Sequence, residues 1–149
     1  MHRTVGVVLV LGLVAGCTAH PVGPARTFAG YERKAGTTAE SALSAVQTVR
    51  LTAETASAGD AFGPYSSIVI SDQEEAIAGV QGTFGSIQPP DTRANSLRAE
   101  LDQILGAALE HVGDVRIAVR RGQLQQLAHV AAPLAGDAAS LEQFIEDHG

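Results

Sequence analysis

The sequence predicts an all-α protein, a four-helix up-down-up-down bundle over residues 37–149, carried behind a signal peptide (1–16) and a flexible tether (17–36). Three observations predict it. After residue 37, four stretches repeat apolar residues at alternating spacings of three and four, the period of one helix face. Helix-start and helix-stop residues stand at the borders of those stretches. Strand-like character is confined to Ile68-Val69-Ile70. Short links between amphipathic stretches make consecutive helices antiparallel neighbours.

The first helix is placed at Thr37, because Thr37-x-x-Glu40 has the form of a capping box in which each side chain satisfies the other residue's amide. Ala39, Ala42, Val46, Val49, Ala53 and Ala56 then line one face, and Gly59-Asp60 stops the helix near Ser57. Residues 61–70 suit either a helix with Pro64 in its first turn or a short extended segment. A second helix is expected from Ser71-x-x-Glu74, with Ile77, Val80, Phe84 and Ile87 as its core stripe and Pro89-Pro90 as its end. The third, capped by Asp91 or Thr92, carries Leu97, Leu101, Ile104, Ala108, Val112, Val115 and Val119. After Gly122 the series Leu124, Leu127, Ala131, Leu134, Ala138, Leu141 and Ile145 keeps an unbroken phase across Pro133. That continuity favours one helix kinked at Pro133 over two separate ones. Residues 18–36 mix Pro, Gly and charge without periodicity and read as the tether.

The N-terminal segment has the layout of a secretory signal: Arg3 in a short positive region, an apolar run from Val5 to Ala15, and small residues before the only cysteine, Cys17. The run is far shorter than the roughly 20 residues a membrane-spanning helix needs. Val14-Ala15-Gly16-Cys17 resembles the lipobox of bacterial lipoproteins. The resemblance implies cleavage before Cys17 and a diacylglycerol, with palmitate-type chains, on its sulfur. It implies a lipid-anchored protein on the extracytoplasmic face of the cell membrane. Two acyl chains give a stable anchor where one gives only transient binding. The lipobox, helical domain and Pro89-Pro90-Asp91 turn together are similar to some actinobacterial lipoproteins, a resemblance that supplies no chemistry.

The chain left after cleavage, residues 17–149, loses Arg3, so the formal charge of −6 becomes −7. An acidic surface of this kind excludes nucleic acid as a partner and disfavours a polybasic hold on anionic headgroups. With one cysteine, no intrachain disulfide is possible, and the core alone holds the domain. That core is rich in Ala, Val and Leu and contains no Trp, which predicts close helix packing around small side chains.

No nucleophile elbow, paired metal-ligand helix motif, phosphate loop or cysteine pair occurs. Gly79-x-x-Gly82-x-x-Gly85 lacks dinucleotide spacing and is expected to let a neighbouring backbone approach the second helix. His111 and His129 are the candidate metal or haem ligands, since folding back around Gly122 brings their levels together, with Glu110 and Asp114 nearby. The simpler reading of His111 is an interfacial imidazole. The Glu and Asp residues read as caps, helix-end charges and partners such as Asp102 for Arg98. The function expected is therefore non-enzymatic and cofactor-free: a membrane-tethered interaction or envelope-structural module with a protein partner. The alternatives are a carrier of a lipid or other apolar ligand between the helices, and a metal or haem binder using His111 and His129.

Overall fold

The computed structural model describes residues 25–149; the signal peptide, Val14, Ala15, Gly16 and Cys17 lie outside the described residues. The described chain is helical, without a strand, and its elements are α1 (Phe28–Ser57), α2 (Gly63–Gly85), α3 (Thr92–Arg120), a 3₁₀ turn (Leu124–Gln126), α4 (Leu127–Val130) and α5 (Leu134–His148).

α1 starts well before the expected point. Thr27 caps it, its hydroxyl accepting from the Gly30 amide at 3.2 Å, and Thr37 lies inside the helix with its hydroxyl donating to the Arg33 carbonyl at 3.0 Å. The capping box at Thr37 and Glu40 is thus not a helix start, and the tether predicted to reach residue 36 gives way to helix from Phe28. Tertiary burial overrides weak local propensity here. Gly30 and Gly36 are poor helix formers, but Tyr31, Ala35 and Gly36 are buried, and the Tyr31 ring packs 5.0 Å from that of Phe84. Six hydroxyls along α1, including Thr48 and Thr52, donate to the carbonyl one turn back. Its many Ser and Thr residues are thereby accommodated.

α2 also begins earlier than Ser71. Pro64 occupies its first turn, where a missing N–H costs nothing, and residues 68–70 are helical. Ser66, Ile70, Ile77 and Phe84 form its buried face, with Val80 half-buried. The three glycines do not share the packing role expected of them. Gly79 and Gly82 are exposed with open space where a side chain would stand, and only Gly85 meets a neighbour, the Arg98 guanidinium at 3.6 Å. That guanidinium donates to the Gly85 carbonyl at 2.6 Å.

α3 is capped by Asp91, which accepts from the Ala94 amide at 2.8 Å. Its stripe is as expected except at one place, where Leu105 is fully buried and Ile104 only half-buried. Arg98 and Asp102 pair at 3.7 Å. Gly122 turns the chain with φ +72°, a conformation that side-chain-bearing residues resist.

Beyond Gly122 the single kinked helix is not found. α4 and α5 are separate, joined by a turn whose bonds run i to i−3: Leu134 N–H to Ala131 carbonyl at 3.1 Å and Gly136 N–H to Pro133 carbonyl at 2.9 Å. Pro133 lacks a donor and crowds the carbonyl one turn back, so the backbone tightens rather than bends. The apolar phase nevertheless survives, with Leu127, Ala131, Leu134, Ala138 and Leu141 all buried. Ser57, at the end of α1, fastens this region: its hydroxyl accepts from the Ala128 amide at 2.8 Å and donates to the Leu124 carbonyl at 3.1 Å.

α1 is the hub. It packs on α2, α3, α4 and α5, while α2 packs on α3 and α3 on α5. Alanines 35, 39, 42, 45, 53 and 56 of α1 are buried at these contacts, allowing close approach, and Tyr31, Phe84 and Phe144 supply the bulk. Among the described residues, no helix is long and apolar enough to cross a membrane.

Candidate interaction surface

Five large apolar side chains stand in solvent: Leu51 (65% exposed), Phe62 (84%), Tyr65 (62%), Ile68 (62%) and Ile117 (40%). Four of them belong to the end of α1 and the start of α2. The link from Ala58 to Phe62 folds α2 back along α1. At about 1.5 Å per residue, Leu51 and Ile68 lie at similar heights on adjacent helices, each about two turns or less from the link. On the α2 wheel, Tyr65 and Ile68 are about 60° apart and about 140° or more from the buried Ile70. The four therefore stand at one end of the molecule, with Tyr65 and Ile68 pointing away from the core.

Local sequence preference is broken at the same place. Thr27 and Asp91 cap α1 and α3 with side-chain oxygens, but the N-cap of α2 is Phe62, which makes no side-chain cap bond. An aromatic ring at an N-cap leaves an amide unsatisfied that Ser, Thr, Asp or Asn would satisfy, at a cost of about 1 kcal/mol. Such departures from local consistency concentrate at functional positions.

The segment from Leu51 through α2 is itself acidic, while cations flank it: Arg50 precedes Leu51, and the exposed Arg120 and Arg121 stand at the end of α3 just before Leu124, which lies beside Gly63. Between Leu51 and Thr92 the chain contains Glu54, Asp60, Asp72, Glu74, Glu75 and Asp91 and neither Lys nor Arg. Glu74 is held by Arg116, and Asp91 is the α3 cap. No ion pair is formed by Glu54, Asp60, Asp72 or Glu75 among the described residues. Asp72 and Glu75 continue the stripe of Tyr65 and Ile68 at helical spacing, so apolar surface passes into acidic surface along α2.

The histidines predicted as ligands are placed apart in role. His111 Nδ1 lies 2.7 Å from the carboxylate of Asp137, which is buried near the start of α5; His129 is exposed on α4. Glu110 and Asp114 are exposed as well. Among the described residues, no group of three or more His, Cys, Asp or Glu side chains converges as metal ligands would. Asp137 was not legible in the sequence as a site residue. Its position three residues into α5 had no meaning until the helix break at Pro133 was known. At the opposite corner, His148 lies 3.5 Å from Glu32 and 3.8 Å from Glu100, tying the end of α5 to α1 and α3.

Grooves interrupt the surface of the described residues. One, of about 270 Å³, lies beside the Pro133 break between Arg50 and Glu54 of α1 and Ala128, Ala131, Ala132 and Ala135. Another, of about 310 Å³, runs between α3 and α5 over Ile104 and Phe144, with Glu100 and Asp147 at its rim. The fold and surface define an all-helical protein with large apolar side chains exposed at the α1–α2 link. No protein-family model, curated protein or solved structure matches the chain.

Proposed function

We propose that the protein is a non-enzymatic interaction module, tethered to the outer face of a cell membrane through lipidated Cys17, and that the Leu51, Phe62, Tyr65 and Ile68 cluster is its contact surface. The observation that carries the reading is Phe62, an aromatic side chain that is 84% exposed at an N-cap position it serves poorly. Neither burial nor local helix stability accounts for it, whereas contact with a partner does. We read the architecture as an up-down-up-down bundle whose fourth member is broken at Pro133, supported by the hub position of α1 and by the packing of α3 on both α2 and α5.

The signal layout and lipobox support the tethering. The helix start at Phe28 leaves residues 18 to 27 between Cys17 and α1, a reach of at most about 35 Å. α1 itself spans about 45 Å, and the apolar cluster sits at its far end. A bundle standing on its lipidated terminus would present that cluster away from the bilayer.

The carrier reading keeps one specific support, the alanine-lined groove at the Pro133 break. Three measurements test these readings. Cys17→Ala is expected to leave an uncleaved or mislocalised precursor. A photo-crosslinking residue at position 65, introduced in the native host, is expected to give a discrete higher-mass adduct that the same residue at Gln143 does not. Mass spectrometry of an organic extract of the purified protein is expected to show no stoichiometric apolar compound; finding one would replace the interaction module by the carrier.

A further inference from the structure

We draw no further inference here: the strongest candidate, the exposed apolar patch of Leu51, Phe62, Tyr65 and Ile68 at the α1–α2 link, carries nothing beyond the contact role already proposed, because nothing in the structure shows what covers it.

Discussion

The His111 imidazole and the Asp137 carboxylate join α3 to the start of α5 across 2.7 Å, and Asp137 is almost fully buried while His111 keeps about a third of its surface in water. The pair spans the point where the chain resumes helix after Pro133, so it holds the broken segment to its neighbour. Removing the imidazole leaves a buried carboxylate without its side-chain donor, with only the positive end of α5 to stabilise it. His111→Ala is therefore expected to lower unfolding stability by about 1 to 3 kcal/mol in urea titration. In a double-mutant cycle with Asp137→Ala, the coupling should reach about 0.5 kcal/mol or more. Independent, additive losses would mean that the two side chains do not support each other.

The interior helix faces were legible because burial has a period: Val46, Val49, Leu101, Val112, Leu127 and Leu141 were each assigned inward by spacing and each is fully buried. The ends were less so. The helical phase of residues 28–36 is obscured by two glycines and by charged neighbours, and long-range contacts such as Tyr31 with Phe84 and Glu32 with His148 make that segment pack. The break at Pro133 was hidden for the opposite reason, since the apolar rhythm runs through it unaltered while the hydrogen bonds do not. Phe62, Tyr65 and Ile68 lay in the stretch compatible with both helix and strand. Their exposure follows from a helix start that Pro64 marks and propensity leaves open.

Gly79 and Gly82 separate the two accounts of the glycine repeat. In the packing account, a methyl group at either position forces a neighbouring helix away and destabilises the protein. In the structure both positions are exposed, and a Cβ would meet nothing within 4 Å. Gly79→Ala and Gly82→Ala should each raise stability by about 0.5 to 1 kcal/mol, because alanine loses less backbone entropy in a helix. Thermal unfolding followed by circular dichroism measures this directly. A loss of similar size at either site would restore a close contact there.

Ser57 acts in trans as the cap that the 3₁₀ turn and α4 do not supply for themselves, since neither has a side-chain cap of its own. Its one hydroxyl serves both the Ala128 amide and the Leu124 carbonyl. Ser57→Ala should cost about 0.5 to 2 kcal/mol, in the range of lost N-caps. Its effect should also be local: hydrogen exchange at the Ala128 amide should accelerate more than at amides in the middle of α3. Uniform acceleration across the molecule would show that Ser57 supports the whole fold rather than this junction.

Tyr31 is fully buried, and its hydroxyl finds no hydrogen-bond partner among the described residues. Burial pushes its phenol above the usual value of 10.0; the Arg98 guanidinium pulls it down in part, and Asp102 adds to the rise. The sign of the pH effect follows from linkage. An acid with a raised folded-state pKa ionises first in the unfolded chain, so its contribution is intact below pH 10 and is lost as pH rises from there through the folded-state value. Tyr31→Phe deletes both the titration and the orphaned hydroxyl while keeping the ring against Phe84. Below pH 10 the variant should be as stable as the parent or more so, because no hydrogen bond is lost and a buried polar group is removed. Above pH 10 the parent should lose stability with a slope that the variant lacks, read as a widening gap between their urea midpoints. Parallel midpoints across pH 9 to 11 would show that Tyr31 ionises as readily in the folded protein as in the unfolded chain. A variant less stable than the parent at neutral pH would show that the hydroxyl has a partner that contributes to the fold.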